Sequence, residues 1–146
     1  MLTLRIEKSR SKTGKHAIRT FVFLVSDNGE IIEARPRITR KVKPTYVHGE
    51  AYEAGFDVPH GWYLVYAWFV RNLRGRVKGY FEVYSRDAEL LYRAVYRKLK
   101  LRKSIGDPRY AWIVRLVADH LNIPVKNTNL GDEDGTKVTR KQLETK

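Results

Sequence analysis

The residue types that most often carry catalysis are absent or poorly spaced in this 146-residue chain. It contains no cysteine, which excludes disulfides, thiolate zinc sites and cysteine nucleophiles. No serine stands in a Gly-x-Ser-x-Gly motif, and there is no Gly-x-x-x-x-Gly-Lys phosphate loop. The histidines are scattered without a metal-ligand spacing such as His-x-x-x-His: His16, His48, His60 and His120. These routes to chemistry are therefore not predicted.

Positive charge is the strongest signal of a binding function. The chain has 29 Lys and Arg against 16 Asp and Glu, a net charge of +13. Residues 1–45 carry eleven basic and four acidic side chains, and residues 71–103 carry eleven and three. Positive potential concentrated in this way favours nucleic acid as a partner. The alternative is the solubilising surface of a thermophilic protein, which the absent cysteine and single glutamine also fit.

We expect phosphate contacts from cations in these two stretches, although some of them will only solvate an exposed face. The candidates are Lys8, Arg10, Lys12, Lys15, Arg74, Arg76, Lys78, Arg93, Arg97 and Lys100. The last three share a face if their segment is helical, because side chains three and four apart are neighbours on a helix. No aromatic residue is predicted to stack on bases, and four are expected in the core: Trp62, Tyr66, Phe69 and Trp112.

Hydrophobic periodicity predicts the elements that would position these side chains. Alternation over residues 2–6 predicts a first strand, and the apolar run 21–25 predicts a second. Asp27-Asn28-Gly29 predicts a hairpin turn into a strand over residues 31–38, where Pro36 indicates an edge or a frayed end. Residues 41–61 are predicted to be an irregular connection.

The second half of the chain predicts more helix than strand. The length of the apolar run 62–73 favours a helix, residues 80–84 a strand, and residues 88–101 and 109–121 two further helices. A short strand over 123–128 and a polar loop or frayed helix over 130–146 complete the chain. The order βββ-α-β-α-α-β-(α) predicts an α/β fold in which helices flank a five-stranded mixed sheet.

Three segments resemble the type 1 ribonuclease H-like fold. FVFLVSDNGEIIEAR is similar to its second and third strands, and YFEVYSRDAELLYRAV is similar to its fourth strand and the following helix. NIPVKNTNLGDEDGTKVTRKQLE is similar to its fifth strand, active-site loop and last helix. The resemblance rests on order and spacing and implies one RNase H-like domain over residues 1–146, with 41–61 as an insertion.

The resemblance also implies a degenerate catalytic centre. In that family, four carboxylates hold two divalent metal ions about 4 Å apart. Glu7 and Asp87 match two of these positions, whereas Tyr63 and Thr139 stand where the other two carboxylates would be. Magnesium needs hard oxygen ligands, so an aromatic ring and a hydroxyl are poor replacements.

Other acids could complete an altered ligand set. Asp132 and Asp134 lie close in sequence to the last position, and Glu50 and Glu53 lie upstream of the second. Asp87 has a simpler interpretation as the N-cap of the helix predicted from Ala88.

The expectation from the sequence is a nucleic-acid-binding protein that holds a duplex or RNA–DNA hybrid without efficient cleavage. One alternative is an active nuclease that uses Mg²⁺ or Mn²⁺ at Glu7 and Asp87. Another is a protein-interaction subunit of a ribonucleoprotein. No apolar run approaches the roughly 20 residues that cross a bilayer, and the first residues lack a signal-peptide pattern. We therefore expect no membrane partner and a cytoplasmic location.

Overall fold

The computed structural model of this chain describes residues 2–10, 16–44, 49–72, 74 and 76–126, most of which lie in β-strands. The strands are β1 (Leu2–Arg10), β2 (His16–Ser26), β3 (Ile31–Glu33), β4 (Arg37–Val42), β5 (Gly49–Phe56), β6 (Trp62–Asn72), β7 (Val77–Tyr84), β8 (Leu90–Arg97) and β9 (Lys100–Gly106). A 3₁₀ turn (Pro108–Tyr110) leads into one helix, α1 (Ala111–His120).

The strands form two antiparallel sheets that meet at one corner. The small sheet has the order β4-β5-β1, and the large sheet has the order β2-β6-β7-β8-β9 with β3 as a second neighbour of β2. The two are joined where the end of β1 pairs with the start of β2 over Ser9–Ile18 and Arg10–Ala17. The large sheet therefore has one face toward the small sheet and another that is free for α1.

Two apolar clusters hold these layers together. On the helix side, alternate residues of β6 to β8 such as Val65, Phe81 and Tyr96 pack against Ile113 and Val117 of α1. On the other side, Leu64 and Tyr66 pack against Leu2, Ile6 and Phe56 of the small sheet. Each fully buried side chain of this size contributes about 1.5–3 kcal/mol to the stability. Strand β6 is apolar nearly throughout because both of its faces are covered.

Two hairpins show how differently their turns are encoded. The turn between β2 and β3 is formed by Asp27-Asn28-Gly29, with Gly29 at φ +84°. The buried Ser26 hydroxyl accepts hydrogen bonds from the amides of Asn28 and Glu30. The turn between β8 and β9 places Lys98 and Leu99 at φ +54° and +64°, a region that L-residues rarely adopt. Only the first turn was predicted, and the structure confirms it.

Gly79 fixes how closely β6 and β7 pack. It pairs with Phe69 across the two strands, and an added Cβ would overlap the carbonyl oxygen of Trp68 and the Phe69 ring. A glycine covered by a cross-strand aromatic ring is a known device for pinning register.

The ribonuclease H-like α/β fold predicted from the sequence is wrong, because the described residues form antiparallel sheets with one short helix. The helix predicted over 88–101 is instead the β8–β9 hairpin, and the one predicted over 62–73 is β6. In β8 the buried residues are Tyr92, Ala94 and Tyr96, a period of two that its neighbouring leucines and valine obscure. The predicted irregular connection 41–61 contains β5.

Other predicted elements are confirmed. Strands lie over 2–6, 21–25 and 80–84, and a helix lies within 109–121. The strand predicted over 31–38 is present as two pieces, β3 and β4, separated by residues 34–36. The 123–128 segment reaches only an isolated bridge from Lys126 to Lys100 before the described residues end.

Candidate functional site

The face of the large sheet opposite α1 carries two adjacent rows of side chains with different chemistry. The first row crosses the strands as Trp68, Tyr80, Val95 and Lys103, each opposite the next in register. The second row crosses as Val70, Lys78, Arg97 and Lys100. Side chains two apart on a strand share a face. The first row, called the aromatic row for Trp68 and Tyr80, therefore lies directly beside the second, called the cationic row for Lys78, Arg97 and Lys100.

A shallow groove of about 590 Å³ lies over these rows. Its lining residues are Trp68, Lys78, Gly79, Tyr80, Val95, Tyr96, Arg97 and Arg102, and they include no carboxylate. Arg102 lines it because β9 has one extra residue between the pairs Val95–Lys103 and Tyr96–Leu101, a bulge of the kind that redirects a side chain.

The cations of the groove are exposed and lack acidic partners. Within the part of the chain that the structure describes, Lys78, Arg97 and Arg102 take part in no salt bridge. All three side chains are solvent-exposed. Three such cations around one groove create a positive potential that would attract a negatively charged ligand.

The aromatic pair of the groove is held in place from both sides. The rings of Trp68 and Tyr80 stack with centroids 5.5 Å apart and planes 25° from parallel. The Arg93 guanidinium lies 4.5 Å from the Tyr80 centroid, and Tyr66 hydrogen-bonds to the Tyr80 side chain. Both rings of the stacked pair are only partly buried, so part of their surface remains accessible.

The acid nearest to this pair is neutralised by its neighbours. Glu82 lies 3.7 Å from Nε of Arg93, and Tyr84 donates its hydroxyl to Glu82 Oε1 at 3.0 Å. Burial, followed by the charge of Glu82, raises the pKa values of Tyr80 and Tyr84. Burial is also the first cause of the raised pKa of Tyr66. These tyrosines therefore remain uncharged hydrogen-bonding groups at neutral pH.

Several cations predicted from the sequence meet at this site. Lys78, Arg97 and Lys100 form the cationic row, but they do so through strand register and not on a helix face. Arg93 lies on the same face and pairs with Glu82. Arg74 and Arg76 precede β7 and are exposed.

The predicted catalytic residues are not brought together. Glu7 lies on β1, 3.7 Å from Arg5, and its charge acts on Tyr66 and Tyr80 between the sheets. Tyr63 lies on the helix side of β6 and contacts the Tyr110 ring at 5.6 Å. Asp87 is exposed in the β7–β8 turn, where its amide donates to the Ser85 hydroxyl. The prediction that Asp87 caps a helix is wrong, since β8 follows.

The acids proposed as substitutes and the remaining candidates are placed as follows. Glu53 forms a salt bridge with Arg40, and Glu50 is exposed on β5. Among the described residues, no group of three or more His, Asp or Glu is arranged to hold a metal ion. Lys8 and Arg10 belong to β1 by their backbone. The predictions on Lys12, Lys15, Asp132, Asp134 and Thr139 lie outside the described residues.

The sequence did not indicate that Trp68 and Tyr80 belong to the groove, and Arg102 was noted there only as one of several basic residues. Trp68 lies in a run that is apolar on both faces, so alternation could not separate it from the core. The aromatic enrichment of that run was the available signal for a strand. The position of Arg102 depends on a bulge in β9, and the local sequence contains no signal for that bulge. Of the residues predicted for the core, Tyr66 and Phe69 are buried, while Trp62 and Trp112 are half-buried.

Comparisons with known proteins add no family to this description. No protein-family model, curated protein or solved structure matches the chain. In the ranges that the structure describes, no helix has the length and apolar character needed to span a membrane. The functional interpretation therefore rests on the geometry of the groove.

Proposed function

We propose that this protein binds nucleic acid through the groove on the β6–β9 face. The observation that carries the proposal is the set of three exposed cations, Lys78, Arg97 and Arg102, around a groove with no acidic lining. Phosphate contacts of this kind supply most of the sequence-independent affinity of nucleic-acid-binding proteins. The net charge of +13 supports the same partner class by attracting a polyanion over a distance.

The preference for a duplex or RNA–DNA hybrid rested on the ribonuclease H-like fold, and it loses that support with the fold. The nuclease alternative also loses the placement that motivated it, since Glu7 lies on β1 beside Arg5 and Asp87 lies in the exposed β7–β8 turn. Binding without a required metal ion is therefore the function that the groove supports best.

Salt dependence of binding tests the proposal. Labelled oligonucleotides, single-stranded and duplex, are titrated with the protein at several salt concentrations. A variant with Lys78, Arg97 and Arg102 changed to Gln is compared with a control in which Arg35, Lys41 and Lys43 are changed to Gln. The control removes the same charge from exposed positions around β4, at the opposite end of the strand order.

Loss of three phosphate contacts should flatten the slope of log K against log[salt] by about 2 for a single strand and by nearly 3 for a duplex. The control should bind as the native protein does. Equal losses in both variants would show that only net charge matters and would refute the groove as the binding site.

Two further arms separate the alternatives. Cleavage of labelled RNA–DNA hybrid with Mg²⁺ or Mn²⁺, abolished in Asp87→Asn, would establish the nuclease. Polyglutamate that competes with the oligonucleotide at equal charge concentration would favour an acidic protein as the partner. We expect neither result.

A further inference from the structure

The stacked rings in the groove indicate more than phosphate binding. A site that only neutralises phosphates needs cations, whereas this groove places an aromatic pair one row away from them. Trp68 and Tyr80 are partly exposed within it, although most large apolar side chains of β6 and β7 are buried. Both rings pack on one side against the cluster between the sheets, and the surface that they leave accessible adds nothing to the binding of a ligand that presents phosphates alone.

Nucleic-acid bases are ligands that combine a flat apolar face with an adjacent phosphate. Stacking of bases on aromatic side chains is a common mode of single-strand binding, and it tolerates any sequence because every base has such a face. In a duplex the base faces are already covered by neighbouring base pairs. Only an unpaired strand can therefore place a base on Trp68 while its phosphates reach Lys78 and Arg97.

The pair is also preorganised for such a ligand. Arg93 over the Tyr80 ring and the Tyr66 hydrogen bond fix the Tyr80 side chain before any ligand arrives. Glu82, the nearest acid, is engaged by Arg93 and Tyr84 and does not confront the phosphates as a free charge. The Tyr80 side chain then loses little conformational entropy when a ligand binds.

We infer that this groove is a single-strand site in which unpaired bases stack on the Trp68–Tyr80 pair while Lys78, Arg97 and Arg102 hold the phosphates. The inference rests on the proposed function and narrows its ligand to unpaired strands. Both ring and cations lie on adjacent strands of one sheet, so the site needs no rearrangement of the fold.

The test compares three probes on the native protein over one series of salt concentrations: oligothymidylate, an oligomer of the same length without bases, and a blunt hairpin duplex with the same number of phosphates. We expect oligothymidylate to bind about 5–150-fold more tightly than the baseless oligomer, the range that stacking of one base produces. The duplex should also bind more weakly than oligothymidylate.

Two tryptophan variants assign the effect to the groove. Trp68→Leu should lose most of the preference for oligothymidylate and keep the salt slope, since the cations remain. Trp62→Leu is the matched control, because Trp62 lies on the same strand and face but outside the groove. It should bind as the native protein does. If Trp68→Leu fails to fold, the comparison of oligothymidylate with the baseless oligomer decides alone.

The possible failures are distinguishable. Equal affinity for oligothymidylate and the baseless oligomer, with a steep salt slope, would overturn the stacking inference and leave the proposed function standing. Absence of binding to every probe at low salt would overturn both.

Discussion

At the β4–β5 end of the strand order Arg37 and Arg40 are matched by carboxylates, whereas at the β7–β9 end Lys78, Arg97 and Arg102 form no salt bridge with any residue that the structure describes. Arg40 lies 2.6 Å from Glu53, and Arg37 lies 2.5 Å from Asp57. Contact with Arg40 lowers the pKa of Glu53, and the same contact raises the pKa of Arg40. Arg37 and Arg40 are thus paired within the protein, whereas Lys78, Arg97 and Arg102 face solvent.

This difference indicates that the positions of the Lys and Arg side chains, and not the total charge, determine where an anionic ligand would be attracted. Exposed ion pairs contribute little stability, and they also offer little attraction to an outside anion. The unmatched cations are further distinguished by the aromatic row beside them, which the β4–β5 end lacks among its described exposed residues.

Placing an acid in the groove should produce the largest effect. Val95→Glu puts a carboxylate between Tyr80 and Lys103, making this end resemble the β4–β5 end. We expect oligonucleotide affinity to fall about 100-fold, since like charges brought together cost several kcal/mol and about 1.4 kcal/mol corresponds to a factor of ten. Fluorescence anisotropy measures the loss. Ile38→Glu adds the same charge at an exposed position on β4, and it should change affinity little.

Gly79→Ala should destabilise the floor of the groove. An added Cβ meets the Trp68 carbonyl and the Phe69 ring, and overpacking of this kind costs about 1–3 kcal/mol. Urea unfolding followed by circular dichroism measures it. A gain of about 0.5–1 kcal/mol, as expected where alanine replaces a glycine without a clash, would contradict the close approach of β6 and β7.

Alkaline pH should weaken the tyrosine-rich layers and leave the ion pairs intact. Burial raises the pKa values of Tyr66 and Tyr96 above the ordinary value of 10.0. Above pH 10 the unfolded chain therefore ionises first, and stability falls as pH rises. At pH 11 the raised pKa of each of these tyrosines should lower the free energy of unfolding by about 1 kcal/mol. Tyr66→Phe should unfold with a shallower pH dependence in urea titrations, and an identical dependence would contradict burial as the cause.

Removing the acids from the β4–β5 end should have the smallest effect. Glu53→Gln with Asp57→Asn releases Arg40 and Arg37 from their partners. Both lie at the end of the strand order away from the groove, so the salt slope for a single strand should change by less than the roughly 0.7 that one phosphate contact adds. Because the described residues beside these cations form no aromatic row, the ratio of affinities for oligothymidylate and the baseless oligomer should stay unchanged. An increased ratio would mean that exposed cations alone produce the preference.

The parts of the fold that the sequence predicted have strong local signals. The Asp27-Asn28-Gly29 turn supplies a glycine at positive φ, and α1 keeps its apolar period through Ile113, Val114 and Val117. The β8–β9 hairpin lacks such a signal, because its turn uses Lys98 and Leu99 where glycine or asparagine is usual. A continuous helix was then the simpler reading of residues 88–101.

The candidate site was predictable in its charge and not in its geometry. Lys78, Arg93 and Arg97 stood out by charge alone, but their common face follows from strand pairing between β7 and β8. Trp68 could not be separated from its buried neighbours, since both faces of β6 are covered over most of its length. Which residues of β6 remain accessible depends on how far the small sheet extends over that strand.

The turn at Lys98 and Leu99 bears on the order in which the chain assembles. Two L-residues at positive φ disfavour that turn by roughly 1–2 kcal/mol each, so β8 and β9 have little local tendency to meet. Hydrogen bonds to residues outside the hairpin stabilise the turn: the Lys98 amide donates to the Val77 carbonyl, and the Lys126 amide donates to the Leu99 carbonyl. The hydrogen bond from the Lys126 amide can form only once that residue is present, so we expect the turn to be fixed late in folding. We therefore expect the groove, which Arg102 lines, to be completed late in folding.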